Sequence, residues 1–323
     1  MRVLVTGGAG FIGSHVVDAY LGQGHDVLAI DNLSHGSQDN LQCTADFERL
    51  DICDSVEIHR VLKTFQPDVI NHHAAQVDAR HSVEDPLGDE RTNVSGTVNL
   101  LQAAAKAGVR AFIFASSGGA IYGEQEDAAD EEAPKAPLSP YGAAKSAAEA
   151  YLFVFSRTFD LPAVALRYSN VYGPRQGRSG EAGVVPIFIQ RMVARTQARI
   201  YGDGEQTRDF VYVGDVARAN LLAIEYLLRE RPTPMTVDGL AFNVSSGVAI
   251  SVNDLYSRLA RIVGYSKPPV YENPRLGDIR HSVLSPAKAV RVLDFESQIP
   301  LDEGLQTTVK WFKEQLPRDP RRG

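Results

Sequence analysis

Five short apolar runs punctuate the N-terminal half of the chain: 2–6 (RVLVT), 26–30 (DVLAI), 68–71 (DVIN), 110–115 (RAFIFA) and 163–168 (AVALRY). Between them lie longer stretches, 54–65 and 93–107 among them, whose apolar residues recur at helical spacing. Strands alternating with helices predict a parallel sheet. Strands covered by helices on both faces are continuously apolar, as these are. A further helix is expected from Tyr141, directly after Ser139-Pro140, because proline suits a helical first turn. Beyond it the pattern is irregular, with Gly and Pro clustered at 173–186 and 264–277 and helical spacing at 184–195, 251–263 and 302–315. The fold class expected is α/β, a doubly wound parallel sheet followed by a smaller α/β part.

Composition narrows the class. At 323 residues, 44% hydrophobic and 23% charged, the chain has a globular rather than a disordered or fibrous make-up. Its formal charge of -7 repels polyanions, so neither nucleic acid nor an acidic membrane is an expected partner. Cys43 and Cys53 are too few for a disulfide framework and lack zinc-site spacing. No apolar run is long enough to span a bilayer, and the first strand follows Met1 without a signal-peptide layout. The expected location is the cytoplasm.

The first strand runs into Thr6-Gly7-Gly8-Ala9-Gly10-Phe11-Ile12-Gly13, and a helix follows. Glycines there allow a tight turn, a close approach of backbone to pyrophosphate, and close packing of helix on strand, while the helix N-terminus attracts phosphate charge. Asp31, 18 residues beyond Gly13, ends the second strand, where a carboxylate can accept bonds from ribose hydroxyls and repel a 2′-phosphate. The pattern predicts a Rossmann-type site that favours NAD over NADP. Asp51-Ile52, after the third strand, is placed to flank the adenine.

Tyr141 and Lys145 stand four residues apart, on one face of the expected helix. A phenol is a poor base at neutral pH, but a neighbouring ammonium favours its phenolate, and Tyr141 then becomes able to take a hydroxyl proton. The adjacent His72-His73 would point to opposite faces of a strand, with no third ligand evident, so no metal is expected.

These words, in order, make the chain resemble the extended short-chain dehydrogenase/reductase family, in particular its nucleotide-sugar branch, where it is most similar to UDP-glucose 4-epimerases. The resemblance rests on TGGAGFIGSH (6–15), DN (31–32), HHAAQ (72–76), NVSGTVNLL (93–101), SSGGAIYGE (116–124), YGAAK (141–145), RYSNVYGPRQ (167–176), GDGEQTRDFVYVGDVA (202–217) and RLGDIR (275–280). It implies tightly bound NAD held by Gly7, Gly10, Phe11, Ile12 and Gly13, with Asp31 and Asn32 at the ribose and Asp51 and Ile52 at the adenine. Ala74, Ala75, Gln76 and Asn93 would line the remainder. Lys145 would hold the nicotinamide ribose as well as tune Tyr141, and Tyr168 and Val171 would border the ring. For a UDP-sugar, it implies Arg208 and Arg275 at the diphosphate with Asn170 helping, Val184 and Tyr201 near the uridine, and Asp278 at its ribose. Residues 1–175 and 209–246 would form the NAD-binding Rossmann domain, 176–208 and 247–316 the nucleotide-sugar-binding domain, and 317–323 a frayed tail. A homodimer through the helices near Asn93 and Tyr141 is implied, with Leu100, Leu101, Tyr151, Leu152 and Phe155 as its seam.

The sequence departs from its relatives at three points. Gly118 stands where many carry the Ser or Thr that relays a hydrogen bond between sugar and tyrosine, so Ser117 is expected to take that role. Gly119 and Ala120 stand where dehydratases and decarboxylases carry acids, which favours epimerisation, since elimination needs a further acid and base. Ser282 stands where some relatives carry a bulky tyrosine, so N-acetylated UDP-hexoses are expected to fit too. Two alternatives accompany this reading. One is a UDP-glucuronate 4-epimerase or another epimerase of the branch, with Arg80 or Arg280 reading a carboxylate. The other is a non-catalytic, NAD-sensing binding protein, against which Tyr141 and Lys145 speak.

Overall fold

The computed structural model describes residues 1–177, 183–274 and 279–315, so Arg275, Asp278 and the 317–323 tail lie outside the described residues. The chain begins β1 (Arg2–Thr6), α1 (Phe11–Gly22), β2 (Asp26–Asp31), β3 (Asp46–Arg49), α2 (Ser55–Phe65) and β4 (Val69–His72). It continues through α3 (Ala79–Glu84), α4 (Pro86–Glu90), a π-helical segment (Arg91–Ser95), α5 (Gly96–Ala107), β5 (Ala111–Ser117) and α6 (Gly118–Ile121). Then come α7 (Pro140–Thr158), β6 (Ala163–Tyr168), β7 (Asn170–Tyr172), α8 (Val184–Val193), β8 (Arg199–Tyr201), β9 (Thr207–Tyr212) and α9 (Val213–Glu230). The remainder is β10 (Ala241–Val244), β11 (Ala249–Ser251), α10 (Val252–Val263), β12 (Val270–Glu272), β13 (His281–Ser282), α11 (Ala287–Leu293) and α12 (Leu301–Gln315).

Among the described residues a seven-stranded sheet has the order β10-β6-β5-β4-β1-β2-β3. Every pairing in it is parallel, as continuous apolar strands require. Chain order reverses between β1 and β4, so the loops leaving these strands diverge and open a crevice at their C-terminal ends. One face buries Val5, Val17, Val164, Leu227 and Phe242 beneath α1, α9 and α11, and the other buries Leu4, Ile58, Leu101, Phe112 and Leu152 beneath α2, α5 and α7. Helix starts follow local chemistry: Asp54 caps α2 through the Val56 and Glu57 N–H groups, and Ser139 caps α7 through that of Gly142, with Pro140 in the first turn.

The smaller part is a mixed sheet in which β9 pairs with β11, β13 and β7, plus the pair β12–β8. Its own core gathers Phe188, Ile200, Leu255, Leu259 and Leu305. The expected subunit seam needs correcting. Leu100, Leu101, Leu152 and Phe155 pack inside the layer between α5, α7 and the sheet, because both helices turn their apolar stripes inward. Of that set Tyr151 is exposed, as are Val154 on α7, Val83 on α3 and Leu87 on α4. Among the described residues no helix is long and apolar enough to cross a membrane.

Candidate active site

The glycine turn is tight enough to explain its composition. Gly7 lies at φ +65°, and a Cβ there would sit 2.6 Å from the Ala74 nitrogen, while a Cβ on Gly13 would sit 2.1 Å from the Gly7 oxygen. β1, α1 and the loop after β4 therefore meet backbone to backbone. Gly10 precedes α1 with no side-chain cap, which leaves the first N–H groups of the helix to an anion. This geometry fits the pyrophosphate of a dinucleotide.

Asp31 is buried, and its carboxylate accepts the Ala9 N–H at 3.2 Å and the Leu33 N–H at 2.8 Å. Burial pushes its pKa up, opposed by those two bonds. Asp31 thus braces the glycine turn and has lone pairs left that could accept from a ligand hydroxyl. The segment after it closes over the same turn: Ser37 N–H and the Asn40 amide both donate to the Ala9 oxygen. Ser37 and Asn40 were missed in the sequence because nothing local ties them to Ala9. Asn32 donates to Asp51 at 3.0 Å, and Asn99 donates to the Ile52 carbonyl, so the residues expected at the adenine form one tied group.

A buried relay sets the next loop. The Thr97 hydroxyl donates to the Asn93 carbonyl, so it accepts from His72 Nε2, and His72 Nδ1 accepts from the Thr6 hydroxyl at 2.6 Å. Thr6 in turn accepts the Ala74 N–H. The Asn93 side chain closes the ring, bonding both the N–H and the carbonyl of Gln76, with Ala75 held between. Burial holds the His72 pKa well below its usual value, and both its nitrogens are engaged. The metal reading of His72-His73 thereby loses its first ligand, and among the described residues no group of three His, Cys, Asp or Glu could hold an ion. Tyr168 is buried, with its hydroxyl between His73 and Asn220 and its ring stacked on His73, and Val171 packs half-buried on the sheet core.

Tyr141 and Lys145 occupy the first turns of α7, as the spacing predicts. Lys145 is buried, donates to the Ala115 carbonyl at 2.9 Å, and places Nζ 5.9 Å from the Tyr141 ring centroid. Burial lowers its pKa to about 8, against the pull of Asp89 and Glu149. The strand end sorts the two serines: Ser116 donates to Glu149 at 2.6 Å, itself clasped by fully buried Arg167, while Ser117 turns to the other face. At Gly118 a Cβ would fall 2.4 Å from Leu284 Cδ1, so a side chain there would require Leu284 to shift. Glu149, one helical turn beyond Lys145, was another omission, visible only as a second i, i+4 neighbour.

Among the sugar-side candidates, the structure brings Asn170 and Ser282 together beside Gly119. A Cβ on Gly119 would lie 3.9 Å from Asn170 Oδ1 and 4.0 Å from Ser282 Oγ, so the three border one space. Ser282 pairs in register with Arg208, whose guanidinium donates to the Thr207 carbonyl. Tyr201 ends β8 and Val184 starts α8, packed on the smaller core. Glu124 accepts the N–H groups of Arg280 and His281, pinning β13 to the segment that follows α6. Arg280 spends its guanidinium on Asp203, and Arg80 is exposed on α3.

Residues 3–237 match the model of the NAD dependent epimerase/dehydratase family. A UDP-glucose 4-epimerase of Mycolicibacterium smegmatis is 42% identical over 319 residues, 97% of this chain and 99% of that protein. Among solved structures, the UDP-glucose 4-epimerase of Thermotoga maritima with UDP-glucose superimposes at a TM-score of 0.92 and 44% identity, covering 98% of this chain and 100% of that one. A UDP-N-acetylglucosamine 4-epimerase from Methanobrevibacter ruminantium, in complex with UDP-N-acetylmuramic acid, gives 0.89 at 35% identity, covering 98% and 99%.

Proposed function

The chain belongs to the NAD dependent epimerase/dehydratase family, and on that premise we propose that, as an NAD-dependent UDP-hexose 4-epimerase, it interconverts UDP-glucose and UDP-galactose through a 4-keto sugar. One observation carries the reading: α7, which bears Tyr141 and buried Lys145, packs against the short helix α6, whose Gly118-Gly119-Ala120 offers no further acid or base. Such a site suits reversible oxidation at C4 and not elimination of water. NAD, which Gly7, Gly10, Phe11, Ile12, Gly13 and Asp31 would hold, would supply the reversible hydride chemistry at C4.

The chain's own residues do the rest. Lys145 favours the Tyr141 phenolate, which takes the C4 hydroxyl proton and later gives it back, with Ser117 relaying the hydrogen bond. Gly119 leaves the flat keto sugar room to turn over between the two transfers. Arg208 neutralises the diphosphate, its fork matching phosphate oxygens, and Arg275 and Asp278 take the roles the resemblance implies. Ser282, small and beside Asn170, admits an N-acetyl group, a reading supported by the N-acetylglucosamine relative. The glucuronate alternative finds no support at Arg280, which Asp203 holds. In this reading the 1–175/209–246 part holds NAD, the 176–208/247–316 part holds UDP-sugar, and the enzyme works in the cytoplasm as a homodimer through the flank of Tyr151, Val154, Val83 and Leu87.

Proton NMR of the purified protein with UDP-glucose, UDP-N-acetylglucosamine or UDP-glucuronate, without added NAD, tests it. The expected result is a changed H4 coupling pattern with the first two, which also demonstrates retained cofactor. Turnover of UDP-glucuronate alone would move the assignment to the glucuronate epimerase. Inertness toward all three, with NAD supplied, would overturn catalysis and favour a binding protein.

A further inference from the structure

A second acid, Asp89, stands on the short helix α4 packed against α7, the helix that carries Lys145, and takes no part in the proton transfer assigned to Tyr141. Asp89 is 1% exposed on α4, which packs on α7. Its Oδ1 accepts two amide donors, Gln76 Nε2 at 2.8 Å and Asn93 Nδ2 at 3.0 Å, both from the loop ring that lines the cofactor crevice. Its Oδ2 is buried with no hydrogen-bond partner among the described residues. A carboxylate so enclosed persists when a nearby charge compensates it.

The groups around the Lys145 ammonium show which acid is free to act on it. Tyr141 and Glu149 face it from its own helix, Asp89 from α4, and His72 and His73 from β4, where burial keeps both histidines neutral. Glu149 is committed elsewhere: Arg167 grips both its oxygens, at 2.9 and 2.6 Å, and Lys135 lies 3.5 Å away. Asp89 has no such ion pair within 4 Å among the described residues. The charges that act on it most are those of Lys145 and, from α3, His81.

We propose that Asp89 is a positioning residue for the reaction, whose carboxylate orders Gln76 and Asn93 and supplies the counter-charge of the buried Lys145 ammonium. The proposal rests on the reading that Tyr141 and Lys145 carry proton transfer. Its consequence has a sign. Burial alone drives the ammonium toward its neutral form, and Asp89 opposes that. Without the carboxylate, Lys145 loses its proton at lower pH, and Tyr141 loses the cation that supports its phenolate.

The test is Asp89→Asn in the full-length holoenzyme, because asparagine can keep both bonds to Oδ1 while removing the charge. The alkaline limb of kcat/KM for UDP-glucose is expected to move toward acid by about one pH unit, with bound NAD retained. Asp89→Glu should restore most of the limb, and Asp89→Ser, a second neutral variant, should show the same shift as Asp89→Asn. Superimposed profiles, or a uniform fall with both limbs in place, overturn the proposal. Tyr141→Phe separates the two levels of the argument. Full turnover in Tyr141→Phe sinks the proton-transfer reading itself, whereas an inactive Tyr141→Phe beside an unmoved Asp89→Asn profile sinks only the role of Asp89.

Discussion

The two walls of the crevice are built differently. On the cofactor side the parts are backbone and buried polar atoms: Gly7 against Ala74, Gly13 against Gly7, and a closed ring running from Ala74 through Thr6, His72, Thr97 and Asn93 to Gln76. On the sugar side the parts are side chains on short strands, β7 and β8 of three residues and β13 of two. Their ties are more exposed, as in the Arg280–Asp203 pair, whose side chains are 49% and 57% exposed. Fixed backbone and enclosed polar relays suit a group that stays bound, since ordering is completed in folding and not at each binding event. Half-exposed side chains on short elements suit a ligand that comes and goes. The contrast matches a reaction with no net redox change, in which cofactor is retained and sugar nucleotide is exchanged.

The strongest way to break this contrast is Gly13→Ala. With the added Cβ meeting the Gly7 oxygen, helix and turn must part, and we expect a stability loss of about 3 kcal/mol with protein that purifies without NAD. Thermal melting and assay of NAD released on denaturation measure both, and full NAD content would show that the cofactor wall is not rigid. Ser117→Ala probes the meeting line of the walls and should lower kcat about 100-fold while leaving KM nearly unchanged. Steady-state kinetics with unchanged turnover would move the relay to another hydroxyl. The mildest effect is expected on the sugar side. Ser282→Tyr should cost about tenfold on UDP-N-acetylglucosamine and spare UDP-glucose. Equal losses on both sugars, read from initial rates, would remove Ser282 as a size gate.

Which residues the sequence disclosed follows from how their roles are encoded. The glycine turn, Asp31, and the Tyr141–Lys145 pair are local patterns tied to one strand or one helical turn, and the structure forms those elements where the spacing predicts them. The eighteen-residue α9, the edge strand β10 and the π-helical segment before α5 were not read from periodicity. α9 carries polar Asn220 in its buried face, where the residue bonds Tyr168 and Asn71. A polar residue inside the stripe hides the helix, and only its distant partners explain it. The apolar stripes of α5 and α7 misled for the converse reason: periodicity marks a buried face without saying whether its cover is the same chain or a second copy.

By itself the sequence determined the parallel α/β class, the glycine turn between strand and helix, the placing of Tyr141 and Lys145 on one helix and the absence of an acid at Gly119-Ala120, because each depends on residues within a few positions of one another. Only the tertiary structure decided that Ser116 is spent on Glu149 while Ser117 is not, that Leu284 packs against Gly118, that Gly119, Asn170 and Ser282 share one space, and that Asp89 is buried on a helix packed against the one that carries Lys145. These depend on burial and on pairing between residues far apart in the chain, Arg167 to Asp238 at 71 positions and Asn243 to Glu131 at 112. Polar groups taken out of water must find partners wherever the fold brings them, and no local spacing records which partner that will be.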